Sequence, residues 1–246
     1  MAAENPSWGE ERIANELGVK LGIRVSPRTV GKYLAGFPGR EPDPTQRWMT
    51  FVRNHARFIV ACDFLVVVTA RFRILYVFVI MELGRRKILH HNVTAHPTAE
   101  WTLQQFREAL AEEHPYRRVI HDRDSIFSKE LDKAVEAMGV QVLRTPVRAP
   151  RANAFCERLG GTMRRECLNF LIPSGEGHLK QLRTNWISHY NHGRVHMSLG
   201  PGIPDPLRQS PPINKDRHSL PPGQVVRSKA VLGGLHHEYW LDKVAA

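Results

Sequence analysis

Apolar residues recur at two different periods along this chain, and the changes of period divide it into elements. Residues 10–17 carry Ile13 and Leu17 four apart, and the stretch SPRTVGKYL from Ser26 carries Val30 and Leu34 four apart. Both spacings predict short helices, the second capped by Ser26 with Pro27 at its first position. Arg28 and Lys32 fall on its outward face, so the pair suits a small helix-turn-helix, whose second helix enters the DNA major groove. GFPGREPDPTQ (36–46) loses all periodicity to Pro and Gly and predicts a linker. Two continuous β-branched and aromatic runs follow, 58–68 and 74–81, as expected of strands inside a sheet. Their joint, TARFR, is short enough for an antiparallel hairpin.

The pattern then alternates. A third strand is predicted at 87–93, and a helix from Pro97 with Ala99, Leu103, Phe106 and Leu110 on one face. YRRVIHD is a short strand ending in acid. Ser128 caps a helix striped by Leu131, Ala134, Val135 and Met138 and closed by Gly139. VQVLR is a fifth strand, TPVRAPRA a basic loop, and 153–170 one long helix with Phe155, Leu159, Met163 and Phe170 as its buried stripe. A last amphipathic helix carries Leu179, Leu182, Trp186 and Tyr190. The order β-β-β-α-β-α-β-α predicts an α/β fold, a mixed five-stranded sheet with helices on both faces. The domain boundaries expected are 1–36 for the helix-turn-helix-like DNA-binding segment, 37–50 for a linker, 51–200 for the core and 201–246 for a Pro-rich, basic, extended tail.

Charge narrows the partners. Lys and Arg number 35 against 24 acids, a formal net charge of +11 over 246 residues. That balance favours a polyanion, and no helix combines a basic face with the bulky apolar face that a membrane surface needs. No apolar run approaches the roughly 20 residues that span a bilayer, and the N-terminus is too polar and acidic for a secretory signal. Three cysteines without a CxxC pair fit a reducing compartment, not a disulfide framework or cysteine-rich zinc site.

Three carboxylates carry the candidate chemistry. Asp63 sits at the centre of the apolar run FIVACDFLVVV, where an unpaired charge costs several kcal/mol unless an arginine, backbone donors or a metal ion compensates it. Asp122 in HDRDSIF ends the fourth strand, on the edge of an α/β sheet where ligands gather, with Asp124 two residues on as a helix cap or a competitor. Glu157 lies four residues after Asn153, off the apolar stripe of its helix. Between Asp122 and Glu157 lie 157 − 122 − 1 = 34 residues. Arg144, Arg148 and Arg151 in the loop and Arg158, Arg164 and Arg165 on the helix are candidate phosphate contacts. The adjacent histidines His90–His91 and His236–His237 are taken as incidental.

This order of motifs resembles the DDE catalytic core shared by retroviral integrases and insertion-sequence transposases. Asp122 and Phe127 match the ends of that family's D-N-G-x-x-F motif; Asn153, Glu157 and Arg158 match N-x-x-x-E-R. Asp63 takes the place of the first aspartate. NPSWGEERI through VSPRTVGKYL resembles the helix-turn-helix that precedes this core in many insertion-sequence transposases. YNHGRVHMSLG resembles their closing Y-N-x-x-R-x-H-x-S-L motif, and VLGGLHHEY adds to the likeness. Asp124 replaces the usual glycine, the 34-residue interval is one short of the commonest, and such proteins often carry more DNA-binding sequence upstream. The integrase HHCC zinc module is absent.

The resemblance implies an RNase H-like fold and a metal-dependent polynucleotidyl transferase. Two Mg²⁺ (or Mn²⁺) ions are expected, with Asp63 bridging both and Asp122 and Glu157 each completing one shell; hard oxygen ligands suit them. Without cations, carboxylates about 5 Å apart repel by roughly 3 kcal/mol per pair at an effective dielectric near 20. The implied reactions are cleavage of element-end DNA by water and attack of the freed 3′-OH on target DNA. The implied partners are double-stranded DNA and further copies of the chain in a synaptic complex, with a cytoplasmic, nucleoid-associated location. Asn153, Arg148, Arg151, Arg158, Arg28 and Lys32 are the expected DNA contacts. Rival readings are a truncated or domesticated DNA-binding protein without catalysis, an RNase H-fold nuclease, and a metabolic α/β enzyme. The last lacks a glycine-rich phosphate loop or nucleophile motif.

Overall fold

The computed structural model describes residues 1–2, 4–5, 8–34, 44–110, 113–145, 153–209 and 219–243, with side chains omitted at 44–47. The chain divides into two compact units, 1–47 and 48–246.

In the first unit, α1 (Glu10–Leu21) and α2 (Pro27–Leu34) pack through Ile13, Ala14, Val30 and Leu34, with Trp8, Leu17 and Val25 at the margin. Gly22 takes φ 68° at the end of α1, where a left-handed residue lets the Ile23 N–H donate back to the Leu17 carbonyl. The Ser26 hydroxyl accepts from the Thr29 N–H at 3.1 Å, the predicted cap. Gly31 gives the close approach: a Cβ there would meet the Glu10 carboxylate at 2.7 Å.

Residues 44–50, expected to be linker, are instead the start of a helix, α3 (Pro44–His55). Pro44 stands at its first position, where its missing N–H costs nothing. Trp48, Phe51 and Val52 share one face, and Val52 is fully buried in the core.

The second unit is built on one mixed sheet. Strands β1 (Ile59–Val68), β2 (Ile74–Glu82), β3 (Ile88–Thr94), β4 (Arg118–His121) and β5 (Gln141–Arg144) are ordered β3-β2-β1-β4-β5. The first three pair antiparallel, while β1–β4 and β4–β5 are parallel. The central strand is thus the apolar run that carries Asp63. On one face, α4 (Ala99–Ala109) and α5 (Lys129–Glu136) cover Val60, Cys62, Phe78, Ile80 and Val119 through Phe106, Leu131 and Val135. Thr98, not Pro97, caps α4, accepting from the Trp101 N–H at 3.2 Å; Ser128 caps α5 as predicted, accepting from Leu131. On the other face lie α6 (Ala154–Met163) and α7 (Glu176–His192), the latter burying Leu179, Leu182, Trp186 and Tyr190 as expected.

The long helix predicted over 153–170 is not uniform. Arg164–Leu168 is a π-turn, in which the Asn169 N–H donates to the Arg164 carbonyl five residues back. The extra residue rotates the stripe: Cys156, Leu159, Met163 and Cys167 face the core, and Phe170 is 65% exposed, contrary to the sequence expectation.

Much of YNHGRVHMSLG is bracing. The Asn191 amide donates to the Ile88 carbonyl and accepts from its N–H, both at 2.9 Å, which fastens α7 to β3. Arg194 forks onto Glu166 at 2.7–3.1 Å. The tail carries more order than its prolines suggest: β6 (Gln224–Val231) and β7 (His236–Lys243) form an antiparallel hairpin. It docks on α7 through His189 and Glu238 (3.0 Å) and through His236, which stacks on His189 and bonds to the Glu166 carbonyl at 2.6 Å. His236 is therefore not incidental.

Candidate active site

Strand register brings two of the acids together. Ala61 of β1 lies beside Ile120 of β4 in the parallel ladder. Asp122, just past the end of β4, lies close enough to Asp63 for its charge to raise that carboxyl. Asp63 is partly buried, and its Oδ1 accepts from the next N–H, Phe64, at 2.8 Å. Burial pushes its carboxyl up to about 7. Repulsion from Asp122, Glu157 and Asp124 adds to the rise, while the Phe64 N–H opposes it.

The third acid comes from α6. Asn153, at the start of this helix, donates its amide to the Cys62 carbonyl at 3.4 Å. Further along, Gly160 packs towards β1, where a Cβ would make ordinary contact with Leu65 at 3.4 Å. Glu157, exposed on this helix, therefore opens into the same cavity as Asp63, a space of about 300 Å³ also lined by Leu65, Cys156, Gly160 and Arg164. Burial raises the thiols of Cys62 and Cys156 well above their ordinary range, and the nearby acids reinforce it, which keeps both protonated and non-nucleophilic.

The loop after β4 is held by a side-chain chain absent from the sequence reading. His121, 2% exposed, bonds through Nδ1 to the Asp122 carbonyl (2.5 Å) and through Nε2 to Asp132 (3.0 Å). Asp132 in turn takes Arg144 at 2.6–2.7 Å, and Phe127 stacks on the His121 ring at 4.3 Å. Arg144, a candidate phosphate contact by sequence, is thus committed to Asp132. The two competing aspartates separate: Asp124 accepts from Ile126 N–H (2.9 Å) and Ser125 Oγ (3.4 Å) to shape the turn, while Asp122 accepts from the Asp124 N–H at 3.0 Å. The signal available in the sequence was a histidine preceding the acid at the end of an apolar strand.

Among the described residues, none forms an ion pair with Asp63, Asp122 or Glu157. Nor do any three His, Cys, Asp or Glu side chains there gather as closely as a metal-holding group requires. The acids are neighbours and mutually repelling, but not the closed shell that the sequence reading expected. Their chemistry still fits a divalent ion, since all the donors are hard oxygens.

Of the expected DNA contacts, Arg28 and Lys32 are exposed on α2, and Arg158 is exposed on α6. Asn153 is 5% exposed and ties the helix to the strand through the Cys62 carbonyl. Arg148 and Arg151 lie outside the described residues. Arg164, at the cavity, donates to the Val66 carbonyl at 3.3 Å.

Residues 138–204, which include Glu157, match the family model described as integrase core domain. No curated protein matches the chain. Among solved structures, the simian T-cell lymphotropic virus intasome in complex with a PP2A regulatory subunit matches at 14% identity and TM-score 0.50, over 75% of this chain and 66% of that one. This chain therefore spans just under two thirds of that protein's length. The catalytic domain of Mos1 mariner transposase matches at 13% identity and TM-score 0.50, over 62% of this chain and 85% of that one. The HTLV-2 integrase catalytic core domain in complex with magnesium matches at 13% identity and TM-score 0.47, over 59% and 92%. The sheet and its flanking helices are those of integrase and transposase catalytic cores, RNase H-like in architecture.

Proposed function

We propose that this chain, whose core is of the integrase/transposase type, cleaves the ends of a DNA element and transfers their 3′-OH groups into target DNA. The observation that carries the reading is the placement of Asp63: a carboxyl in the central strand that shares a cavity with Glu157, raised towards about 7 by burial and by Asp122 and Glu157, and in no ion pair among the described residues. Asp63, Asp122 and Glu157 would hold the divalent ions, Mg²⁺ or Mn²⁺. When bound, these supply Lewis acidity at the attacking and leaving oxygens of the phosphodiester.

The protein's own groups set the geometry. Asp63 is fixed on the most deeply paired strand. His121 and Asp132 hold the backbone from which Asp122 projects, and Asn153 holds the start of the helix that bears Glu157. Side-chain acids borne on such braced elements need little reorganisation to close around cations. Arg158 and Arg164 receive phosphates at the cleft, while Arg28 and Lys32 of α2 contact DNA beyond it. We assign further copies of the chain to a synaptic assembly and the protein to the nucleoid; no described helix is long and apolar enough to cross a membrane.

The test is Mg²⁺-dependent nicking and joining of element-end duplexes by wild type and Glu157→Gln. Activity is expected only from wild type. Cleavage that survives the substitution removes Glu157 from the site, and DNA binding without cutting by either protein favours the domesticated reading.

A further inference from the structure

The turn between β1 and β2 presents Arg71, Phe72 and Arg73, all exposed. Phe72 is 89% exposed and holds φ at 57°, a left-handed conformation that a bulky residue adopts only at a cost. Nothing in the fold offsets that cost through its ring: no aromatic or cationic side chain among the described residues touches it. The turn is nevertheless fixed. The Thr69 N–H donates to the Arg73 carbonyl (2.9 Å), the Arg73 N–H to Thr69 Oγ1 (3.1 Å) and the Phe72 N–H to the Thr69 carbonyl (2.9 Å). From outside, the Ala70 N–H donates to the Pro173 carbonyl at 2.8 Å. A rigid turn thus holds an aromatic ring in water between two guanidinium groups that have no acidic partner among the described residues.

The same strand leads back to the acids. Asp63 and Ala70 are seven positions apart, a reach of at most roughly 23 Å at about 3.3 Å per residue, or about seven base steps of duplex DNA. Arg164, bonded to the Val66 carbonyl, lies along that route. We infer that the Arg71-Phe72-Arg73 turn is a second DNA contact, in which the arginines take phosphates and Phe72 wedges against a base step. Apolar wedges flanked by basic residues hold DNA in this way, and charge complementarity on a chain of net charge +11 selects a nucleic acid as the occupant. The inference rests on the proposed DNA reading, and the experiment separates the two.

The full chain is titrated with a fluorescein-labelled random-sequence duplex at several salt concentrations, and with the same duplex carrying 2-aminopurine in place of adenine. Wild type should bind and raise the 2-aminopurine fluorescence as bases unstack. Phe72→Ala should bind about tenfold more weakly without that rise, while Phe72→Trp keeps it. The double variant Arg71→Gln/Arg73→Gln should lower the slope of log affinity against log salt by about two. Thermal melts equal to wild type establish that the exposed substitutions leave the fold intact. Wild-type affinity, salt slope and fluorescence in all variants overturn the turn's role and leave the proposed function standing. Failure of wild type to bind the duplex overturns both.

Discussion

Asn153 donates its side-chain amide to the carbonyl of Cys62, so the helix bearing Glu157 is tied to the strand bearing Asp63 one residue from that carboxyl. A contact between an element's first residue and the centre of a distant strand sets the spacing of two acids that lie far apart in sequence. Asn153→Ala removes this buried bond and should lower stability by about 1 kcal/mol in a denaturant titration. Because Asn153 is buried, nicking should fall while affinity for duplex DNA stays at the wild-type value. A loss of affinity equal to the loss of nicking would make it a DNA contact after all.

The crowding of acids predicts a sign for the metal-free protein. Asp63 has a folded-state value near 7 against an ordinary 3.8. The folded protein therefore binds the extra proton between about pH 4 and 7, and stability from this group falls as pH rises through that window. Above pH 7 the whole cost remains, on the order of a few kcal/mol. Asp63→Asn should raise the melting temperature at pH 8 in the presence of a chelator, although it abolishes cleavage. Mg²⁺ should stabilise wild type more at pH 8 than at pH 6 and leave the variant unchanged.

His91 gives the opposite slope. Burial, then Arg183 and His90, hold its imidazole down at about 4. The unfolded chain takes up this proton first, so stability is lost as pH falls from 6.5 towards 4. His91→Gln should flatten that acid limb in equilibrium unfolding measured across the window.

The π-turn predicts which residues of its helix matter. Leu159, 3% exposed, faces the core, and Leu159→Ala should cost about 2–5 kcal/mol. Phe170 points to solvent beyond the π-turn, and Phe170→Ala should change stability by less than about 0.5 kcal/mol. Chemical denaturation of the two variants compares them directly.

The first three strands were legible because long β-branched and aromatic runs mark them; β1, β2 and β3 begin and end within a residue of the expectation. The two helices α1 and α2 were legible from i, i+4 spacing and the cap at Ser26. The elements that bear the three acids were legible too: Asp63 in β1, Asp122 just after β4 and Glu157 on α6. What escaped depends on partners remote in sequence. The β6–β7 hairpin alternates weakly and is held by His189 and Glu166, far upstream. The prolines before Trp48 masked α3, whose apolar face shows only from Trp48 onward. Asn153 looked like a site residue because its motif marks it, and only the fold reveals that its amide faces a strand. The π-turn leaves no periodic trace until the residue after it falls out of phase.

The central claim is that Asp63, Asp122 and Glu157 close on divalent ions. Its most direct test is anomalous diffraction from crystals of the full chain soaked in Mn²⁺. The account predicts Mn²⁺ peaks coordinated by the carboxylate oxygens of those three residues, with Asp124 remaining in its turn. Well-ordered carboxylates with no manganese among them, or manganese bound elsewhere, would contradict it.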